Sequence, residues 1–404
     1  MIFDSTLMFN LLLGTLACFS AGAVGALISA RAPAVARVVG HGGALLGAVA
    51  ALTFALAGLA GGKMQLSVPD LLPIGGAAFG VDRLSAFFVG VVALGALPSA
   101  LYAIGYTREY AGTHSLAGMG FAFNVFVAAM ILVPLARNVL TFLALWELMS
   151  LASYFLVITE HERDDTLRAG WIYFVMTHAG FAALLVGFLL LSRATRTTDF
   201  TAWSAAAASL DPASRSLIFV LLALGFGSKA GVIPLHVWLP RAHPAAPSHV
   251  SALMSGVMIK LGVYGLMRVA FDWLGVGPTW WGGTTLVLGA VSGVLGVLYA
   301  LVDADLKRLL AYSSVENIGI ILLGLGAAML FHASHLPGLA ALALVAALYH
   351  TLNHAAFKSL LFMGAGAVLH AARTRNMEEL GGLIKRMPQT AAFFLIGSLA
   401  VAAL

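Results

Sequence analysis

Cysteine is almost missing from this chain: its 404 residues include one, Cys18. A lone thiol closes no internal disulfide and supplies neither a zinc knuckle nor an iron–sulfur cluster, so any electron carrier must sit on another protein. Charge is scarce as well. Asp, Glu, Lys and Arg make up 10% of residues, against about a quarter in soluble proteins. The net charge is +5, but no basic block or basic–aromatic stripe is present to hold a nucleic acid. Nucleotide motifs are wanting too. GFGSKA at 225–230 fits G-x-G-x-x-A, yet no strand or βαβ unit surrounds it, and no Walker A Lys–Ser/Thr pair occurs. The chain is therefore predicted to bind neither NAD nor ATP, and to carry no cofactor and no metal of its own. The opening MIFDSTLMFN lacks the basic n-region of a secretory leader, and the run after it lacks a clear cleavage signal. It is read as a retained first span.

What is present is apolar: 61% of residues are hydrophobic. Runs long enough to cross about 30 Å of hydrocarbon fall near 6–30, 35–60, 82–106, 117–136, 138–159, 168–192, 213–231, 248–271, 282–302, 311–331 and 338–370. A twelfth starts near 390 and is cut off at Leu404. This predicts an all-α polytopic membrane protein with about 11 complete spans and a partial twelfth. The stretch at 63–81 is too polar and too rich in Pro and Gly to span, and is expected to form an extramembrane hairpin or amphipathic turn within an N-terminal segment, 1–110.

Lys and Arg in alternate loops give 12 on one side and 7 on the other, the first set including Lys307, Arg308, Arg373 and Arg375. The positive-inside rule places the first set in the cytoplasm and the N-terminus outside. Of the 22 Lys and Arg, this leaves Lys229, Lys260 and Lys358, all inside apolar runs.

Ionisable groups at bilayer depth are costly and mark function more often than decoration. Glu147, in LTFLALWELMSLASYFLVI, shares a helix face with Ser150 and Tyr154. It must face a partner or water, either in a structural ion pair or in proton transfer. Lys229 precedes a helix broken by Pro234, Pro240, Pro244 and Pro247, so the chain is expected to be discontinuous near 225–247. The break frees backbone groups that need water or polar side chains. A carboxylate near 4 Å is worth about 4 kcal/mol at an effective dielectric of about 20. Glu147, moving, could make Lys229 hold or release a proton; the plainer reading is a proline-kinked turn with a snorkelling lysine. Lys260 lies midway along its span, where snorkelling is hardest, and has no acid within its own turn.

His350, His354 and Lys358 stand at i, i+4 and i+8 and form one polar stripe on an apolar helix. The histidines could hold a metal, but no Cys or HExxH glutamate accompanies them, and the lysine one turn on would repel a cation. Proton relay suits the stripe better; helix packing is the plain alternative. Glu316, after a serine pair, is either a channel-mouth acid or an interfacial residue, and His178 is a weaker intramembrane candidate. His236, His243 and His249 flank the break and line a hydrated space or are ordinary loop histidines; His332 and His335 read as loop residues.

LWELMSL with Glu147, GSKAGVIPLHVWLPRAHPAAPS with Lys229, the Lys260 helix, DADLKRLLAYSSVENIG and HTLNHAAFKSLLFMGAGAVLH together resemble, in order, the antiporter-like membrane subunits of respiratory complex I, Mrp-type cation/proton antiporters and membrane-bound nickel–iron hydrogenases. Glu316 and the wording EHERDDTLRAGWIYFVMTHAG look most like the hydrogenase-4 component B, or formate hydrogenlyase subunit 3, branch. The resemblance covers about 80–404. It implies inverted five-helix repeats, a first half-channel at 117–271 and an incomplete second repeat at 282–404. It also implies a proton-translocating subunit of a respiratory or hydrogenase-type oxidoreductase complex in a prokaryotic inner membrane. That subunit would be driven by electron transfer in partners: other membrane subunits and a peripheral redox arm, such as a nickel–iron hydrogenase with iron–sulfur proteins. In this picture Glu147 and Lys229 form the switching ion pair, Lys260 is the central carrier, and His350, His354 and Lys358 lead to the second half-channel. The family continues past the position of Leu404, so the exit side of the path is expected to be missing. Two alternatives stand beside this one: an Mrp-type Na⁺/H⁺ exchanger, and a truncated scaffold that transports nothing.

Overall fold

The computed structural model describes residues 4–72 and 75–402. Two positions of the 63–81 segment and Leu404, the expected cut-off of the twelfth span, lie outside the described residues. The chain divides into two compact units, residues 1–167 with 198–200, and residues 168–197 with 201–404.

The first unit holds helices α1 (Ser5–Ile28) and α2 (Pro33–Leu59), strands β1 (Met64–Leu72) and β2 (Gly75–Val81), then α3 (Arg83–Tyr106), α4 (Leu116–Leu132) and α5 (Val139–Val157). Polar side chains mark the helix starts. Asp82 and Ser85 form a reciprocal capping box on α3, while Ser115 and Asn138 accept the amides of Gly118 and Thr141. The strands pair antiparallel with Met64 opposite Val81, giving the expected hairpin. It is tied to α5: Asn138 Nδ2 donates to Gly76 O at 2.9 Å, and Ala78 N donates to Thr141 Oγ1 at 3.0 Å. Small residues bring α1 and α2 into backbone contact, since a Cβ on Gly43 would meet Gly22 Cα at 2.4 Å.

The second unit takes up α6 (Asp164–Thr195) from residue 168, then α7 (Trp203–Ala207), α8 (Pro212–Ala230), α9 (Leu239–Ala245) and α10 (Ser248–Leu253). A π turn, Met254–Met258, leads from α10 into α11 (Ile259–Met267), and a second, Arg268–Trp273, ends that span. Next come α12 (Thr279–Leu301), α13 (Leu306–Ala333), α14 (Pro337–Ala372), α15 (Leu383–Arg386) and α16 (Pro388–Val401). Ser248–Trp273 is the central span, fully buried along its apolar window. Pairs α8/α11 and α12/α13 approach through glycine. A Cβ on Gly262 would meet Phe226 O at 2.6 Å, and one on Gly319 would meet Gly293 N at 2.4 Å.

Among the described residues 11 helices are long and apolar enough to cross a membrane, and Pro388–Val401 is a shorter apolar helix. All eleven lie on the apolar runs read from the sequence. The helix discontinuity is present as well. Helix α8 ends at Gly231 in the left-handed conformation (φ 80°), a cis Ile233–Pro234 bond follows, and helix resumes at Leu239.

Loop arithmetic misplaced some charges. Lys307, Arg37 and Arg268, counted among loop cations, are buried. Each folds its stem back to a partner at a helix end: Lys307 to Ala246 O at 2.7 Å, Arg37 to Ile104 O at 2.8 Å, and Arg268 to Tyr264 Oη at 3.0 Å and to Asp272.

Candidate functional site

The three intramembrane lysines are as buried as their positions in apolar runs predict. Lys229 is 3% exposed, and Lys260 and Lys358 are 0% exposed. Burying an ammonium is costly unless its protons find acceptors, and all three find them. Lys229, in the last turn of α8, donates to the Tyr173 hydroxyl of α6 at 3.3 Å. Its ammonium also lies 5.5 Å from the centre of that ring. Tyr173 in turn sits 3.6 Å from Met258 Sδ, in the π turn of the central span.

Lys260 follows the same π turn. There the ladder shifts to i−5, with Ile259 N bonding Met254 O, and the Lys260 ammonium donates to the Ser255 carbonyl at 2.5 Å. The Ser255 hydroxyl reaches across to α13, where it shares a 2.6 Å hydrogen bond with the Ser314 hydroxyl. Ser314 donates to the Leu310 carbonyl at 2.9 Å, and that oxygen also receives Lys358 Nζ of α14 at 3.2 Å. Lys358 makes a second contact with Ser313 Oγ. The carbonyl of Ser313 holds Asn317 Nδ2 at 2.7 Å, and Asn317 Oδ1 pairs with His350 Nε2 at 2.9 Å. A continuous buried line of polar groups thus joins Lys260 to Lys358 and His350, carried across by one face of α13.

The i, i+4, i+8 stripe on α14 is partly assembled as read. His350 and His354 stack with centroids 6.3 Å apart. His354 is fully buried, and neither of its ring nitrogens has a hydrogen-bond partner among the described residues. Glu316 is half-buried on α13, beside Gly296 of α12, where a Cβ would meet its backbone N at 2.5 Å. Its charge reaches Lys358. His178 stands apart from the line, with Nδ1 2.8 Å from the Phe174 carbonyl of its own helix and its ring stacked on Phe174 at 3.9 Å. Glu147 is half-buried on α5 of the first unit, next to Ser150, whose hydroxyl returns to the Trp146 carbonyl at 2.9 Å.

Polar side chains satisfy the helix break. Trp238 Nε1 donates to Ser228 O at 2.9 Å, Ile233 N donates to Ser292 Oγ at 3.1 Å, and Ser251 Oγ donates to His243 O at 2.7 Å. His243 and His249 are fully buried, so neither is a loop histidine on the surface. His243 lies edge-on to Trp238 at 5.6 Å and to Phe362 at 5.9 Å. Phe362 is one helical turn beyond Lys358.

Residues 136–404 match the family described as NADH:quinone oxidoreductase/Mrp antiporter, TM. The chain belongs to this family. Two relatives within the Mrp antiporter family come from Escherichia coli (strain K12). Hydrogenase-4 component B is 49% identical over 326 residues, covering 80% of this chain and 48% of the relative. Formate hydrogenlyase subunit 3 is 37% identical over 358 residues, covering 89% and 57%. The chain thus spans about half the length of the curated relatives it matches. Among solved structures, the Mrp complex from Dietzia sp. DQ12-45-1b matches with a TM-score of 0.80 at 25% identity, covering 98% of this chain and 71% of that one. Like those members, this chain is a polytopic antiporter-like membrane protein.

Sequence reasoning missed the connectors. Tyr173, Ser255, Ser313 and Asn317 carry no charge and drew no attention, although Ser313, Ser314 and Asn317 stand at i, i+1 and i+4 in YSSVENIG. That spacing puts a polar edge on an otherwise apolar helix.

Proposed function

We propose that the chain is a proton-translocating, antiporter-like subunit of a membrane oxidoreductase complex, driven by electron transfer in partner subunits. The observation that carries this reading is the buried line from Lys260 through Ser255, Ser314 and Leu310 O to Lys358, Ser313, Asn317 and His350. It lies inside the family-matched residues. Carbonyls hold the two ammonium groups in place; hydroxyls, which both donate and accept, and imidazole, which titrates near neutrality, supply the exchangeable protons. Lys260 and Lys358 are the carriers at the ends of the line, with His350 and His354 beyond. Glu147 and Lys229 are assigned to the input switch on the strength of the family resemblance, and Glu316 to tuning Lys358. His178 is the weakest member of the set. The partners in this reading are further membrane subunits and a peripheral redox arm of the nickel–iron hydrogenase kind. The compartment is a prokaryotic inner membrane with the N-terminus outside.

The test is electron-donor-driven proton uptake in inverted membrane vesicles carrying the whole complex. Lys260→Met and Glu147→Gln are each expected to abolish uptake while the complex still assembles. Normal uptake in both would overturn the reading and leave a scaffold. A second reading, sodium/proton exchange, is supported by the likeness to the Dietzia Mrp complex. Sodium-dependent proton flux in vesicles without an electron donor would favour it.

A further inference from the structure

The break between α9 and α10 gathers carbonyl oxygens in an unusual way. Ser251 Oγ lies 2.7, 3.0 and 3.1 Å from the carbonyl oxygens of His243, Ala246 and Pro247. One hydroxyl has one proton to give, so it can serve only one of the three. The Pro247 carbonyl also takes the amides of Val250 and Ser251, both at 2.9 Å. The carbonyls of Pro244 and Ala246 belong to the last turn of α9, where the helix leaves acceptors without partners and carries partial negative charge. Oxygens crowded together at a helix break are the surroundings in which transport proteins bind alkali cations.

The positive charge here comes from the chain. Lys307, the second residue of α13, is 1% exposed, and its ammonium lies 2.7 Å from Ala246 O and 3.4 Å from Pro244 O. Arg375, beyond the end of α14, donates to Pro244 O at 2.6 Å and pairs with Asp305, the N-cap of α13, at 3.1 Å. The strap around Arg375 is itself fastened to the start of α13, with Leu306 N on Arg375 O at 3.0 Å and Met377 N on Ala304 O at 2.8 Å. Arg375 is thus committed to Asp305 and one outer carbonyl, while the Lys307 ammonium reaches the inner ones.

We propose that the break between α9 and α10 is a monovalent-cation site whose resident cation is the tethered ammonium of Lys307. Lys307 is a positioning residue: by filling the site from α13 it fixes the end of the discontinuous helix against the helix that carries Ser313, Ser314 and Asn317. The site therefore needs no free alkali ion while Lys307 is in place. It becomes a site for a small cation of the ammonium type once the side chain is cut back. The inference stands on the local geometry and holds whichever ion the protein moves.

The test is amide hydrogen exchange of residues 239–251 in the whole complex, compared in choline chloride and ammonium chloride at equal ionic strength. In choline, Lys307→Ala is expected to exchange about tenfold faster or more, the equivalent of losing one hydrogen bond from a charged group. Ammonium, which can enter the emptied site, is expected to restore slow exchange, whereas choline is too large to do so. Wild type and Lys307→Arg are expected to be slow in both salts. Wild-type exchange in Lys307→Ala, or faster exchange that ammonium leaves unchanged, overturns the proposal. Lys307→Gln keeps a stem and a donor without the charge, and covers the case in which the alanine variant does not assemble. Exchange faster than wild type supports the need for a cation; wild-type exchange refutes it.

Discussion

Replacing Lys358 with methionine is expected to separate stability from transport. The ammonium is fully buried and makes two hydrogen bonds, to Leu310 O at 3.2 Å and to Ser313 Oγ. Hydrogen bonds from a charged group are worth about 1.5–3 kcal/mol each, so the substitution forfeits about 3–6 kcal/mol. Against this, the desolvation penalty of an ion in a protein interior is several kcal/mol, and an apolar side chain of similar volume does not incur it. No orphan acceptor is created, because Leu310 O keeps Ser314 Oγ at 2.9 Å and Ser313 Oγ at 3.3 Å. Glu316, whose charge reaches Lys358, is only half-buried and can take up a proton. The two sides nearly cancel, so Lys358→Met should unfold within about 2 kcal/mol of wild type. Ser313→Ala is the contrasting case: it removes an acceptor but leaves the buried charge, at a cost of about 1–3 kcal/mol. Thermal unfolding of the detergent-solubilised complex should therefore rank Lys358→Met at or near wild type and Ser313→Ala below it. Proton uptake in vesicles should be abolished in the first and only slowed in the second. The reasoning fails if Lys358→Met is the less stable of the two, or if it still translocates protons.

Asn317→Ala should slow proton uptake and cost about 1–3 kcal/mol, because His350 Nε2 loses its partner at 2.9 Å; unchanged uptake would remove Asn317 from the path. Gly262→Ala should destabilise by about 1–3 kcal/mol, since its Cβ meets the Phe226 carbonyl oxygen at 2.6 Å and the Ala230 backbone nitrogen at 2.8 Å; a wild-type unfolding midpoint would contradict this packing of α8 on α11. Gly231→Ala should cost about 1–2 kcal/mol from its φ of 80° alone, with a further cost where the Cβ meets Leu239 Cδ1 at 2.6 Å. Outside the spans, Glu162 is held below its usual 4.5 by its own backbone amide and then by His114 and His161. A lowered carboxyl stabilises the fold above 4.5 and loses that contribution as the pH falls through its folded value. Hydrogen exchange around 158–163 should accelerate below pH 4.5 in wild type, and Glu162→Gln should flatten that acid response.

Much of the architecture was legible because hydropathy and helix-end chemistry speak directly. Apolar runs of about 20 residues can only be spans, and Asp82, Ser115, Asn138, Asp211 and Asp305 announced helix starts that their side chains indeed cap. Lys229, Lys260 and Lys358 were found by subtracting loop charges from the total, and all three are buried. That subtraction also hid Lys307. A lysine in the first turn of a span looks like a loop cation, and only the fold shows that the carbonyls of a helix over 60 residues earlier lie beside it. The connectors Ser255, Ser314 and Asn317 were invisible for another reason. Uncharged polar side chains in a span can bond their own helix, as Ser153 does to Met149 O, so only three-dimensional placement tells a relay from a self-satisfied hydroxyl.

The glycine contacts between α12 and α13 bear on how the protein is made. Gly289 and Gly293 meet Gly319, and Gly296 meets the backbone of Glu316. Only the short turn Val302–Asp305 joins the two helices. Their mating surface is therefore complete before any later residue emerges from the ribosome, and the pair is expected to enter the bilayer as one helical hairpin. Chains halted soon after residue 333 should already bury Gly319 against Gly293, so that cysteines placed at the two positions crosslink. α14 would then arrive at a surface already built, with Ser313, Ser314 and Asn317 waiting to receive Lys358 and His350.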